Sequence, residues 1–184
     1  MAFANENPTE RALSFARLPD SLDGWRVLAI GGGDPGRGYL TGIGADEYVA
    51  LDQPTPDPEL ETGGFDLVIC GSSLETDVHP LSLFAWMRRA IKPEGALVAG
   101  SRVLSDPTKS QYARYVPAAA MGGHSRWLPG RLAFRWMVEV SGFDVDGWLA
   151  GVGQKGESEE QAYLQARPAD RAPVLDLDRQ PLHR

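Results

Sequence analysis

Short apolar runs punctuated by glycine and proline turns organise this chain. Trp25 to Ile30 is one such run and stops at GGGDPG; Tyr48 to Leu51 is a second and ends at Asp52; Phe65 to Cys70 is a third. Continuous runs of this length are the pattern of strands covered on both faces, and the first two are both expected to be buried. Helical periodicity alternates with them. Ala12, Leu13, Phe15, Ala16 and Leu18 mark a lid or packing helix from Thr9 to Leu18, Tyr39 lies in a short helix, and Leu81, Phe84, Ala85, Met87 and Ile91 mark an amphipathic helix from Pro80 to Ile91. Lys92-Pro93-Glu94-Gly95 reads as a turn, and Ala96 to Ala99 opens a further strand. Arg131 to Ser141 reads as a helix ending at Gly142, followed by strands at Phe143 to Val152 and Gln161 to Ala166 that suit an antiparallel hairpin. Trp86, Met87, Phe134, Trp136 and Met137 recur at helical spacing and are expected in the core. Strands alternating with helices predict an α/β fold around a mostly parallel sheet.

Composition narrows the picture. With 184 residues and 42% hydrophobic content, the chain suffices for one well-buried domain, placed at residues 1–167 with a tail over 168–184. The tail has little periodicity and is expected to be poorly ordered or to lie along the surface. A net charge of -7 disfavours nucleic acid and anionic membranes as partners. The partners that remain are a small-molecule acceptor, a second copy of the chain or another protein. Cys70 is the single cysteine, inside an apolar run, so a disulfide framework is excluded and a buried thiol is expected. No His, Cys or carboxylate cluster has metal-ligand spacing. The N-terminal residues lack both a basic region and a long apolar stretch, which predicts a cytoplasmic protein.

The chemistry-bearing pattern is the first strand, its glycine turn and the acid that follows about 20 residues later, the spacing of a nucleotide-binding βαβ unit. Gly31 and Gly33 remove Cβ atoms from a turn whose amides face a ligand, while Pro35 and Gly36 suit the first helical turn. Asp52 is then positioned at a strand tip to accept hydrogen bonds from two vicinal ribose hydroxyls. Gly71, Ser72 and Ser73 follow another strand at the edge where open α/β sheets bind ligands. The segment from Ser105 to Gly130 is too long for a spacer and is expected to face a substrate.

In this order the elements resemble a class I S-adenosylmethionine-dependent methyltransferase, a Rossmann-like fold. VLAIGGGDPG matches its cofactor loop, YVALD its ribose acid, FDLVICGSSLE its fourth-strand region and FAWMRRAIKPEGALVAGS its helix, turn and fifth strand, over residues 22–167. KPEGALV resembles the family's KPGGxLV turn. The C-terminal half, SRVLSDPTKSQYARYVP and SRWLPGRLAFRWMVEVSGF, is similar to methyltransferase-like domains related to tRNA wobble-uridine carboxymethyltransferases. The resemblance implies S-adenosylmethionine as cofactor, held by Gly31, Gly33, Gly36, Asp52, Gly71, Ser72 and Ser73, and methyl transfer to a small molecule. It also has departures. Ala29 stands where the family carries an acid, the glycine turn is one residue longer, and the residues between Asp52 and Phe65 are too few for the usual helix and third strand, which is expected to be missing.

Substrate-side candidates follow from side-chain chemistry. His124 is the candidate proton acceptor, following Gly122 and Gly123. Tyr112, Arg114, Tyr115, Arg126 and Trp127 compose an aromatic and cationic wall, or else anchor a long loop. Glu75 reads as a contact to the cofactor amine or acceptor, or as an acid at a helix start; His79 before Pro80 reads as a turn residue. Two other functions compete. One is a non-catalytic methyltransferase fold that binds a nucleoside or a protein; the other is an NAD-dependent oxidoreductase, since GGGDPG also satisfies GxGxxG, although no Tyr-x-x-x-Lys pair accompanies it.

Overall fold

The computed structural model describes residues 8–31, 37–52, 58–61, 63–71, 79–116, 126–152, 159–170 and 173–174. In chain order these form α1 (Pro8–Phe15), β1 (Arg26–Ile30), α2 (Arg37–Gly42), β2 (Glu47–Leu51), β3 (Phe65–Cys70), α3 (Pro80–Ala90), β4 (Ile91–Leu104), β5 (Ala113–Val116), β6 (Arg126–Pro129), α4 (Arg131–Val140), β7 (Phe143–Val152) and β8 (Glu159–Pro168), with short 3-10 turns at Pro58–Leu60 and Pro107–Lys109.

Six strands make one sheet in the order β2-β1-β3-β4-β8-β7, and β5 with β6 makes a separate hairpin. The first four strands of the sheet are parallel and the last two join antiparallel. The fold is therefore mixed α/β, with a mostly parallel sheet and the C-terminal antiparallel hairpin that the apolar runs predict. Strands β1 and β3 lie between neighbours, so helices cover both of their faces. On one face, Leu83, Phe84, Trp86 and Met87 of α3 and Phe134 and Val138 of α4 pack over Leu28, Val68, Leu97 and Ala99. On the other, Ala12 and Leu13 of α1 and Leu40 of α2 pack over Val27, Leu67, Ile69 and Val98. Cys70 is buried in β3, as an apolar strand position dictates.

Several elements differ from the sequence pattern for identifiable reasons. β2 is half-buried rather than buried, because among the described residues it pairs with β1 alone and no strand lies outside it. Residues 92–95 are not a free turn: β4 runs unbroken from Ile91 to Leu104, and its register on β3 jumps from Phe65↔Ile91 to Leu67↔Ala96. The extra residues are absorbed as a bulge, and Gly95 makes room for it, since a Cβ there would stand 3.0 Å from the Asp66 carbonyl oxygen and 3.1 Å from that of Phe65. α1 stops at Phe15, short of Leu18. Trp136 is 46% exposed, because a helix packed on one side cannot bury residues all round it. β8 extends beyond Gln161 to Ala166 in both directions, and Pro168 and Ala169 are buried, the latter by its N–H bond to the Gly142 carbonyl. The described chain thus stays on the sheet through Pro168, and Ala169 remains bonded beside it.

Candidate functional site

Parallel pairing aligns the carboxyl ends of β1, β2 and β3 with a point inside β4. Ile30 pairs with both Leu51 and Cys70, and Cys70 pairs with Ala99. The next residues along each strand, Asp52, Gly31, Gly71 and Gly100, therefore form a row across the sheet top. With neighbouring strands about 4.8 Å apart, the row is about 14 Å long. Three of its four members lack a side chain, which leaves the backbone bare at the edge where open α/β sheets take ligands.

Each glycine is held there by a specific contact. Gly31 has φ +68°, a conformation costly for any residue with a Cβ, and its N–H bonds to the Leu51 carbonyl at 2.7 Å, which ties the residue after β1 to the end of β2. This brings the Asp52 position beside Gly31. The Asp52 side chain is exposed, as an acid that receives ligand hydroxyls has to be. Gly100 sits against β3 and β8 together, facing the Gly71 carbonyl and the Tyr163 ring.

The opposite, amino-terminal end of the sheet is closed by charge instead. Arg26 donates from its backbone N–H to Asp66 at 2.8 Å, from Nε to Glu47 at 2.6 Å and from Nη1 to the Gly64 carbonyl at 3.3 Å, with its guanidinium 4.9 Å from the centre of the Phe65 ring. Lys92 adds a 2.7 Å contact to Asp66. The hydrogen bond to Glu47 raises the Arg26 pKa and lowers that of Glu47. These groups satisfy one another at the strand starts, opposite the glycine end.

Beyond the row, β4 continues to Leu104 and hands over to the segment read as substrate-facing. Asp106 caps the 3-10 turn by accepting from the Thr108 N–H at 2.9 Å and hydroxyl at 2.7 Å; these bonds, with Lys109, hold its carboxyl below its ordinary range. Ser110 then serves the start of α4, its hydroxyl accepting from the Leu132 N–H and its carbonyl from that of Ala133. α4 thus obtains from Ser110 the N-terminal partners that Gly130 cannot supply as a cap. Arg131 on the first turn of α4 donates through Nε and Nη2 to both carboxylate oxygens of the buried Glu160, the latter at 2.8 Å, and this pairing raises the Arg131 pKa. Ser110 is consequently fixed to α4, and α4 in turn to β8.

The structure brings together some of the expected site residues. Gly31, Asp52 and Gly71 share the row. Tyr115 and Trp127 are cross-strand partners in the β5–β6 hairpin, with ring centres 5.1 Å apart, so they clasp each other. Tyr112 and Arg114 instead face a cleft with Leu104, Asp106, Lys109 and Ala113. Arg126 pairs with Val116, the last pair before the residues that connect β5 to β6. His79 is exposed at the start of α3, where its carbonyl accepts the Leu83 N–H. Gly33, Gly36, Ser72, Ser73, Glu75 and His124 lie outside the described residues. Sequence reasoning missed Gly100, whose signal is the glycine closing the run ALVAG, and Glu159, which no motif marks. Among the described residues no group of His, Cys, Asp and Glu is arranged to hold a metal ion, and no helix is long and apolar enough to cross a membrane.

No protein-family model and no curated protein matches the sequence. Solved structures do resemble the fold. A methyltransferase from Mesorhizobium loti, dependent on S-adenosylmethionine, superposes with a TM-score of 0.61 at 15% identity, over 86% of this chain and 96% of that one. The 1,6-didemethyltoxoflavin-N1-methyltransferase of Burkholderia thailandensis, solved with its ligand and S-adenosylhomocysteine, gives 0.61 at 14% identity over 80% and 72%. The cyclase SpnF gives 0.55 at 14% identity over 88% and 80%. None of the three bears on the carboxymethyltransferase resemblance of the C-terminal half. This chain thus has the class I S-adenosylmethionine-dependent methyltransferase fold, on a sheet whose described strands end at β2.

Proposed function

We propose that the protein binds S-adenosylmethionine along the row Asp52, Gly31, Gly71 and Gly100 and transfers its methyl group to a small molecule. The observation that carries this reading is the row itself: an exposed carboxylate at one end and side-chain-free backbone along the rest, in register across four parallel strands. A nucleoside with an amino-acid chain suits a row with an acid at one end and three positions without side chains. Asp52 accepts the two ribose hydroxyls, and Gly31 and Gly71 admit the remainder close to the backbone. When bound, the cofactor supplies a methyl group already activated on a sulfonium, so the chain needs no nucleophile of its own. Its task is to align the acceptor and exclude water. The segment from Ser105 to Gly130 does this above β4, and His124 takes the proton that the acceptor atom loses as its new bond to carbon forms.

A second reading, a non-catalytic fold that binds a nucleoside or a protein partner, has its own support. Ala29 is buried where the family places an acid, and no described strand flanks β2 to carry the acid that faces the adenine amine. Titration calorimetry of the full chain with S-adenosylmethionine, S-adenosylhomocysteine and NAD tests both. One-to-one binding of the first two without NAD supports the cofactor assignment, and NAD binding alone overturns it. Binding without methyl transfer across a broad acceptor screen favours the non-catalytic reading.

A further inference from the structure

We infer that the cleft at the end of β4 is a slot for one planar aromatic group, clasped between the ring of Tyr112 and the flat guanidinium of Arg114. It has a volume of about 490 Å3 and is lined by Leu104, Asp106, Lys109, Tyr112, Ala113 and Arg114. Clefts of this size take small molecules, and Leu104 and Ala113 give this one apolar walls. Tyr112 is 59% exposed, so its ring is open to a ligand.

Spacing sets the shape of the ligand. Tyr112 immediately precedes β5, and Arg114 is the second residue of that strand. Side chains two positions apart on an extended chain stand on one side of it, about 6.6 Å from each other. Both of these line the cleft. Two carbon contacts at about 3.5 Å each span about 7 Å, so the gap matches the thickness of one flat ring, and a puckered saturated ring is too thick for it. Arg114 is turned for this role. Its Nη2 lies 3.5 Å from Oε1 of Glu159, whose side chain on β8 is 19% exposed. A guanidinium makes such contacts at its edge and in its plane, which leaves its faces for an aromatic ring. Glu159 is thus a positioning residue. Tyr112 is held through its backbone, where its N–H donates to the Lys109 carbonyl at 3.0 Å and its carbonyl accepts from the Gly130 N–H at 2.6 Å. The slot is therefore formed before a ligand arrives, which lowers the ordering cost of binding.

Identification of this aromatic group with the methyl acceptor rests on the proposed transferase function; binding in the slot does not. The test titrates the full chain with benzamide, indole-3-carboxamide and cyclohexanecarboxamide, which carry the same polar group on one flat ring, two fused flat rings and a puckered ring, each with and without S-adenosylhomocysteine. At least one aromatic amide is expected to bind tenfold or more tightly than the saturated one. Arg114→Lys keeps the charge beside Glu159 and loses the plane; Tyr112→Leu keeps an apolar side chain and loses the ring. Each should bring the preference below tenfold, whereas a role for Arg114 through charge alone would leave it intact in the lysine variant. In amide-resolved NMR the largest shifts should fall at Ala113 and Arg114. The inference is overturned if the saturated amide binds within tenfold of both aromatic ones, if either variant keeps the tenfold preference, if the largest shifts fall outside the residues that line the cleft, or if neither aromatic amide saturates below about 10 mM. If an aromatic amide binds and S-adenosylhomocysteine does not, the slot stands and the transferase reading falls; the reverse result separates them the other way.

Discussion

The carbonyl oxygen of Gly71 lies 2.5 Å from the point where a Cβ on Gly100 would stand, and the ring of Tyr163 approaches the same point at 2.8 Å. The residue after β3, an interior position of β4 and a ring from β8 therefore meet at a point that admits hydrogen alone. Gly100→Ala should destabilise the fold by about 1–3 kcal/mol, the range for forcing a methyl into packed surroundings. Urea denaturation checks this. Adding Tyr163→Ala should not restore the loss, because the obstructing Gly71 oxygen is backbone and stays in place.

Asp52→Ala removes charged hydrogen bonds to the ribose in the proposed complex. Affinity for S-adenosylhomocysteine should fall by about 1.5–3 kcal/mol, or roughly 10- to 150-fold, with the urea midpoint little altered because the side chain is exposed. Equal affinity by calorimetry would remove Asp52 from the site.

Two tryptophans with similar helical spacing should behave in opposite ways. Trp86→Ala empties a fully buried position between α3 and the sheet and should cost about 3–5 kcal/mol, whereas Trp136→Ala on the exposed side of α4 should stay within about 0.5 kcal/mol. Denaturant midpoints of the two variants, measured side by side, decide it.

That pair also illustrates what the chain discloses in advance. Periodicity identifies Trp86 and Trp136 as helical, but which side of a helix meets the sheet depends on contacts that are distant in sequence, such as Phe134 against Phe84 and Trp148. The strands β1, β3 and β7 are legible because apolar runs bounded by turns leave little freedom. Lys92 to Gly95 is not, because Pro and Gly signal a turn, while pairing to β3 and the Lys92 contact to Asp66 keep the bulge within the strand. At the site, Gly31, Asp52 and Gly71 follow from local spacing. Glu159 and Gly100 acquire meaning only when β8 is laid beside β4, a pairing that no local signal specifies.

The acid limb of the stability curve should carry two identifiable carboxylates. Glu47 is lowered by its hydrogen bond to Arg26, and Asp106 by its bonds to Thr108 and Lys109. A carboxyl with a lower pKa folded than unfolded adds stability above its unfolded value, near 4, and loses it as pH falls through the folded value. The difference between the native chain and Glu47→Gln, or Asp106→Asn, should therefore be present at neutral pH and close below about pH 4. Thermal midpoints across this range measure it. A gap that widens on acidification would contradict the assignment.

β2, bonded within the described sheet to β1 alone, puts Asp52 at the end of an edge strand, half of whose amides lack a strand partner on the outer side. In hydrogen exchange, the backbone from Glu47 to Leu51 should take up deuterium well before β1 or β3, which have partners on both sides. A ligand that grips Asp52 has to hold that edge shut while it is bound. Its arrival would be recorded as slower exchange along a strand that it touches at one end, so this margin of the sheet doubles as a clock for occupancy of the row.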